Sequence, residues 1–422
     1  MNKIVYPSKV IDSKIKIPPS KSLAHRAIIC ASLASGVSII NNVDFSDDIV
    51  ATINNMRSLG AKIDIDDDIL TIVGSELTVL NNNVIDANES GSTLRFLIPL
   101  FSLFDQKIKF IGSKRLLERP LNVYEEIYKK QGLIFNKQND CLITDGKLKA
   151  GTYEVKGNIS SQFISGLLFT LPLLDNDSKI VITDLFESKS YVELTIDILK
   201  KFNVDIILNE DNTIDIKGGQ HYQATNYTVE GDYSQIAFFA VLGCINNGLI
   251  TTGMNTNSIQ GDREVIDIIK AMNGVVSETL NGYIFKKSEL TGTTIDLKNC
   301  PDLGPALMVL AALSKGTTKI INAGRLRIKE SDRIKAMETE LRKLNVDISS
   351  DYETVTINSS NIKVLNNEID GHNDHRIVMA MSILATIADQ PLKINGANAI
   401  NKSYPDFFKD LSNLNVKVEE YE

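Results

Sequence analysis

QFISGLLFTLPLLDNDSKIVITD, residues 162–184, decides how the rest of the chain is read. Its first half carries apolar residues on every side of a helical wheel, so it describes a buried helix rather than a surface one. Asp175-Asn176-Asp177 then makes a turn, and Lys179–Asp184 alternates as a strand does. The same phrase recurs at HRAIICASLASGVSIINN (25–42), PALMVLAALSKGTTKIINAG (305–324) and HRIVMAMSILATIADQPLKING (375–396). Further copies begin near Thr93 and Gln235, so six stand along the chain at a period of about 70 residues. Self-similarity at a fixed period means a repeat architecture.

Each copy carries a second helix, beginning near Asp47, Arg119, Ser190, Asp262, Ser331 and Tyr404. DDIVATINNMRSLGAKIDI (47–65), SYVELTIDILKKFNVDII (190–207) and SDRIKAMETELRKLNVDI (331–348) place apolar residues at i, i+3, i+4 and i+7 with charges between them. That spacing is amphipathic. Gly60, Gly132 and Gly274, or Asn203, Asn345 and Asn415, follow as C-cap residues. The unit therefore reads strand, buried helix, strand, amphipathic helix, two strands, or βαβαββ. Six such units exceed one core, and three around each of two cores gives about 210 residues per domain. Lys3–Asp12 reads as a strand outside the first full unit, and the last unit ends soon after its second helix. The expected division is 1–15 plus 228–422 for domain I and 16–227 for domain II.

The formal charge of −8 argues against a nucleic-acid or anionic-membrane binder, which would carry a basic excess. Cys30, Cys141, Cys244 and Cys300 are scattered without a C-x-x-C pair, as expected of reduced structural thiols. The N-terminus MNKIVYPSKVIDSKIKIPPS has no apolar core of a signal peptide, and the longest apolar run, Leu303–Leu313, is too short to span a bilayer. A soluble, cytoplasmic protein is expected.

Reactive-looking residues gather where helices begin. PSKSLAHR (19–26) opens the first buried helix, Asn88-ESGSTLR the second, Ser160-Ser161-Gln162 the third, Asp302 the fifth and Asn373-DHR the sixth. The second-type helices open with Glu118-Arg119-Pro120, Ser188-Lys189-Ser190-Tyr191, Lys329-ESDR and Lys402-SYPD. A helix N-terminus offers unpaired N–H groups and a partial positive charge, which favour anions. Lys21, Arg26, Arg119, Lys329, Arg333, Arg376 and Lys402 would make a cleft between the domains cationic within an acidic protein. The ligand implied carries phosphates or carboxylates, with Ser160, Ser161, Gln162 and Ser188 as neutral donors. Taken singly, Ser160 also suits a plain N-cap, Asp47 and Asp48 suit capping, Arg95 a structural pairing, and His221 and His372 the surface. No G-x-x-x-x-G-K-[ST] or G-x-G-x-x-G is present, so nucleotide readings lack support, and no H-E-x-x-H or carboxylate cluster suggests a metal.

Together PSKSLAHR (19–26), ESGSTLRFL (89–97), LLERP (116–120), SSQF (160–163), RIKESDR (327–333), NDHR (373–376) and KSYPDFF (402–408) resemble the 5-enolpyruvylshikimate-3-phosphate synthase family of enolpyruvyl transferases. The likeness runs in order from about Ser20 to Phe408. It implies an α/β fold, a two-domain inside-out α/β barrel with three repeats per domain. It also implies transfer of the enolpyruvyl group of phosphoenolpyruvate to the 5-hydroxyl of shikimate 3-phosphate, releasing phosphate. By that resemblance Lys21, Ser22, Arg26, Ser160, Ser161, Gln162, Ser188, Tyr191, Asp302 and Lys329 would hold shikimate 3-phosphate. Lys21, Gly91, Arg119, Gln162, Arg333, Arg376 and Lys402 would hold phosphoenolpyruvate. Asp302, Glu330 and Lys21 would be catalytic, the two carboxylates as acid and base. A monomer is expected because such repeats bury their core within the chain, and no cofactor, metal, nucleic acid or membrane partner is expected.

The chain departs from the family at Glu89-Ser90-Gly91-Ser92, where Asn-Ala-Gly-Thr is usual, and at Arg325, often Asn. Neither Glu89 nor Arg325 is given a site role. The rival enolpyruvyl transferase, acting on UDP-N-acetylglucosamine, typically has Lys-Asn early and a reactive loop cysteine. Here the pair is Lys21-Ser22, and Gly112–Arg119 holds no cysteine. A non-catalytic anion-binding module would need the cations without Asp302 and Glu330.

Overall fold

Gly304–Ala312, Tyr233–Ile245 and His375–Ala385 are the helices that have no polar face, and nearly every residue in them is buried. They pack on one another and form the centre of one core. Lys21–Leu33, Gly91–Phe101 and Ser161–Thr170 do the same for a second core. Burying one Leu, Ile or Phe contributes roughly 1.5–3 kcal/mol, so each trio is a major term in its core. Leu307 is fully buried, and Leu307→Ala should cost about 2–5 kcal/mol on chemical denaturation.

The computed structural model describes residues 1–10 and 13–422. Among the described residues the strands form six four-stranded sheets, all of one pattern. Val84–Asp86 runs parallel to Ile108–Ile111, which pairs antiparallel with Cys141–Asp145, which pairs antiparallel with Ile134–Lys137. Along Ser178–Thr183 the side chains alternate between buried and half-buried, so each sheet turns one face to the helices. With helices inside and sheets outside, the βαβαββ units form the inside-out arrangement, three in each core.

Contacts within the chain gather it into two units, Met1–Ser20 with Glu230–Glu422, and Lys21–Val229. The change of unit falls a few residues later than 15/16 and 227/228, for a structural reason. Ser13–Lys16 stays in register with Leu249–Thr252, pairing Ile15 with Thr251. Ser20 then donates its N–H to the Glu230 carbonyl (2.8 Å), and Asp232 to that of Pro18 (2.9 Å). The leading strands of the first and fourth repeats are exchanged. Ser13–Lys16 precedes Lys21–Leu33 but joins the fourth repeat's sheet. Asn226–Thr228 precedes Tyr233–Ile245 but pairs with Val37–Asn41 of the first. Asn2–Val5 lies between Leu392–Asn395 and Val418–Tyr421, filling the position the truncated sixth unit lacks. The strand expected over Lys3–Asp12 stops at Val5, and Ile11 and Asp12 lie outside the described residues.

Several helices start earlier than the apolar phrase suggests, at Lys21, Gly91, Ser161, Tyr233 and Gly304. Side-chain caps explain the starts at Gly91, Ser161 and Tyr233. Ser90, Ser160, Asp232 and Asp374 accept the N–H of Thr93, Gln162, Ser234 and Arg376 through their side chains. Gln162, Ser234 and Arg376 thus sit within first turns, and Arg26 and Arg95 within second turns. The second-type helices begin at Asp47, Asn122, Lys189, Glu264, Arg333 and Phe407. Gly60, Gly132, Asn203, Asn345 and Asn415 take the left-handed conformation after them, but in the fourth unit Asn273, not Gly274, does so.

Candidate active site

In the unit that includes Glu230–Glu422, Asp302 stands on the turn Pro301–Leu303 ahead of a buried helix. Its Oδ1 accepts from Lys329 Nζ (3.0 Å) and Arg333 Nη1 (3.0 Å), and its Oδ2 from Arg376 Nη2 (3.2 Å). Burial alone would push this carboxyl upward, but Arg376, Lys329 and Arg333 hold it well below the usual carboxylate range. Arg333 is almost wholly buried. Besides Asp302 it meets Glu330 Oε2 (2.7 Å) and both oxygens of Asp374 (2.8 and 3.3 Å). Burial opposes its charge, yet the three carboxylates raise its pKa above that of a free guanidinium. Burial lowers Lys329, with Asp302 acting against it.

Arg376 also donates to the Asp302 carbonyl (3.0 Å) and to Ser234 Oγ (3.0 Å), and its buried Nε has no hydrogen-bond partner. Ser234 in turn donates to Asp232 Oδ1 (2.6 Å). The first turn of Tyr233–Ile245, the turn before Gly304–Ala312 and the first turn of His375–Ala385 thus meet at one point. Lys402 donates to the Asn373 carbonyl (2.6 Å) close by in sequence to Arg376.

In Lys21–Val229, Arg26 is buried with neutral hydrogen-bond partners: Thr195 Oγ1 (2.8 Å), the Ser22 carbonyl (2.6 Å) and the Tyr191 carbonyl (3.2 Å). Its guanidinium lies over the Phe96 ring at 5.2 Å. Burial pushes its pKa down to about 10. Lys21 pairs with Asp48 (2.6 Å). Gln162 links two helix starts, accepting from Arg95 Nη1 (2.9 Å) and donating to Ser92 Oγ (3.0 Å). Gly91 lies where a Cβ would stand 2.7 Å from Arg119 Nη1 and 3.0 Å from Arg95 Nη1, so two guanidinium groups crowd this helix start. Ser188 is buried in the left-handed region at φ 51°, and its carbonyl accepts from Tyr191 N (3.1 Å). Ser160 caps Ser161–Thr170, and Ser161 is buried.

The residues expected at the site therefore fall into two sets. Asp302, Lys329, Glu330, Arg333 and Arg376 are joined through direct ion pairs and hydrogen bonds, with Lys402 beside them. Lys21, Ser22, Arg26, Gly91, Arg119, Ser160, Ser161, Gln162, Ser188 and Tyr191 stand at or near helix starts of the other unit. Some participants escape the sequence reading. Asp48 does not cap its helix, since Ser46 holds the cap position, and instead pairs with Lys21. Ser234 and Asp232 open the fourth buried helix, and the repeat itself is the signal that points to them. Asp374 lies within NDHR, and Thr195 one helical turn after Tyr191. Arg325 donates to the Lys298 carbonyl (2.8 Å), a structural contact. Among the described residues no group of three His, Cys, Asp or Glu could hold a metal ion, and no helix is long and apolar enough to cross a membrane.

The family profile described as EPSP synthase (3-phosphoshikimate 1-carboxyvinyltransferase) matches residues 5–411. A 3-phosphoshikimate 1-carboxyvinyltransferase of Clostridium novyi (strain NT) is 47% identical across 99% of this chain and 98% of that relative. One from Clostridioides difficile (strain 630) is 46% identical across 99% and 98%. An EPSP synthase structure from Acinetobacter baumannii superposes with a TM-score of 0.80 over the whole of both chains, at 24% identity. The enolpyruvyl transferase NikO of Streptomyces tendae gives the same TM-score at 14% identity, covering 99% and 98%, a likeness of fold.

Proposed function

Because this chain belongs to the EPSP synthase (3-phosphoshikimate 1-carboxyvinyltransferase) family, we propose that its two cationic clusters bind one pair of substrates for that reaction. The reaction is enolpyruvyl transfer from phosphoenolpyruvate to the 5-hydroxyl of shikimate 3-phosphate. In the addition step the hydroxyl oxygen bonds to C2 of phosphoenolpyruvate, the hydroxyl proton leaves and the methylene carbon gains a proton. In the elimination step the new methyl group returns a proton and the C2–O bond to phosphate breaks, releasing phosphate.

In this reading Lys21, Ser22, Arg26, Ser160, Ser161, Gln162, Ser188 and Tyr191 hold shikimate 3-phosphate, with Asp302 and Lys329 facing its hydroxyls. Gly91, Arg119, Gln162, Arg333, Arg376, Lys402 and Lys21 hold phosphoenolpyruvate, where arginine forks match carboxylate and phosphate geometry. Asp302 takes the hydroxyl proton, and Glu330 serves the methylene carbon. The carrying observation is Asp302 itself: one carboxylate held by Lys329, Arg333 and Arg376, cations that an anionic substrate would otherwise claim. A monomer working in the cytoplasm without a cofactor completes the reading, and light scattering on the purified protein tests the first point.

The deciding assay is phosphate release from purified protein given both substrates. Release that needs both, and that is lost in Asp302→Ala and Glu330→Ala, supports the reading. Folded wild type that binds phosphoenolpyruvate but releases nothing sinks the choice of acceptor.

Gly91 gives an independent check. Gly91→Ala would press a methyl group against Arg119 and Arg95. The expected result is a KM for phosphoenolpyruvate raised about 10-fold or more, with the KM for shikimate 3-phosphate changed far less. Steady-state kinetics with each substrate varied in turn reads this directly.

A further inference from the structure

His372, expected at the surface, is bound to a nearly fully buried carboxylate. Its Nε2 lies 3.0 Å from Oε1 of Glu340 on the helix Arg333–Arg342. The other oxygen of Glu340 accepts from Lys343 Nζ (2.7 Å) and from the Asp370 N–H (3.1 Å). Glu340 is seven residues beyond Arg333, so the two lie on one face of the helix, two turns apart. Arg333 holds Asp374 and Glu340 holds His372, so the segment Asp370–Asp374 is gripped at both ends by one helix.

The backbone between the two grips is left-handed. His372 and Asn373 are consecutive non-glycine residues in the left-handed region, at φ 50° and 49°. Left-handed backbone is ordinary at a single Asn and uncommon at His, and a consecutive pair persists where its surroundings hold it. Here the surroundings are the Glu340 contact and the His372 N–H, which donates to Asp370 Oδ1 (2.7 Å). The same segment also meets the cations. Its Asn373 carbonyl receives Lys402, its Asp374 receives Arg333, and Arg376 follows in the next turn.

We propose that His372, through Glu340, is a positioning residue that holds Asn373 and Asp374 where they orient Lys402, Arg333 and Arg376 for phosphoenolpyruvate. The inference rests on the assignment of those three cations to phosphoenolpyruvate. His372 touches no substrate and acts through the backbone that follows it.

The groups facing the imidazole are Glu340 and Lys343 on the helix side and Asp370 on the strand side. The Glu340 hydrogen bond raises the His372 pKa above that of a free imidazole. Burial works against it, Asp370 and Glu340 add to it, and Lys343 opposes. With the folded pKa raised, the ion pair is complete at low pH and is lost as pH climbs through that pKa. The grip therefore loosens on the alkaline side.

The experiment compares wild type, His372→Ala, His372→Gln and Lys402→Met by steady-state kinetics and by the pH profile of kcat/KM for phosphoenolpyruvate. His372→Ala should raise the KM for phosphoenolpyruvate roughly 5–20-fold, with kcat and the KM for shikimate 3-phosphate changed less than about 3-fold. His372→Gln keeps an N–H toward Glu340 but not the positive charge, and should recover only part of that loss. It should also flatten the alkaline limb of the wild-type profile, because glutamine does not titrate. If His372→Ala does not fold, the glutamine variant and its pH profile decide. An unchanged KM in His372→Ala, or an unchanged alkaline limb in His372→Gln, overturns the inference while Lys402→Met still raises the KM. Silence from Lys402→Met as well places the failure in the assignment of the cations, and this inference falls with it.

Discussion

Asp302→Asn is expected to lower kcat by roughly 10²–10⁴-fold, the range for loss of one positioned acid–base group. The KM for phosphoenolpyruvate should stay level or fall. The split follows from the geometry. In the free protein Asp302 is itself the anion bound by Lys329, Arg333 and Arg376. Those cations hold its pKa well below the carboxylate range against the upward push of burial, so unliganded Asp302 is a weak base at neutral pH. A substrate bringing carboxylate and phosphate groups competes for the same guanidinium groups. As it draws their charge, the Asp302 pKa rises and the carboxylate becomes able to take the hydroxyl proton. Asparagine cannot take that proton, but neither does it compete as a charge. A variant with reduced kcat and a KM raised in parallel would instead make Asp302 a binding residue, and would count against this exchange.

The same ion pairs set how Asp302 and Asp374 respond to acid. Burial opposes ionisation of Asp374 as well, and Arg333 overrides it, so both carboxylates have lowered pKa values in the folded state. A carboxylate of that kind contributes stability above its unfolded pKa of about 4 and loses it as pH falls through its folded value. Circular dichroism of the wild type against pH should therefore show the contribution of the cluster disappearing below about pH 4. In Asp302→Asn the acid transition should be shallower. Arg333 keeps Glu330 and Asp374 in that variant, so it is not left as an unpaired buried charge.

The repeat was legible because a helix apolar on all sides has few alternatives, and six copies at one period reinforce each other. Where the sequence misleads, the cause is pairing at a distance. The two leading strands, Ser13–Lys16 and Asn226–Thr228, are short, and nothing local says which sheet each joins; their exchange is a matter of tertiary pairing. Asp48 stands two residues after Ser46 at a helix start and so looks like one more capping residue. Its partner Lys21 is 27 positions away. His372 has no neighbour in sequence that marks it, because Glu340 is 32 positions off on another helix. The apolar pattern points to late helix starts for a different reason. Arg376 belongs to a first turn and Arg26 to a second, where a charge breaks the apolar pattern without breaking the helix. A charge at a helix start therefore marks a candidate residue, whereas Ser234, which acts only by holding Arg376, carries no such mark.

Arg26→Met should abolish most binding of shikimate 3-phosphate, by about 100-fold or more, while leaving the ligand-free protein nearly as stable as wild type. The contrast with Arg333 explains why. Arg333 is buried among three carboxylates, and its charge is compensated without a ligand. Arg26 is equally buried, yet its hydrogen-bond partners are two carbonyls and a hydroxyl, and burial pushes its pKa down to about 10. A buried cation without a counter-ion is costly, so removing it relieves desolvation while forfeiting three hydrogen bonds, and the two nearly cancel. Methionine keeps the length of the side chain over the Phe96 ring, which limits any cavity. Binding is another matter, since a phosphate would supply the missing anion beside a buried guanidinium. The measurement is thermal unfolding against concentration of shikimate 3-phosphate, where the gain follows RT ln(1 + [L]/Kd). Wild type should climb with ligand, and Arg26→Met should stay flat over the same range. If both climb alike, the phosphate is held elsewhere. If the variant alone loses much of its ligand-free stability, Arg26 is a structural residue whose neutral partners suffice.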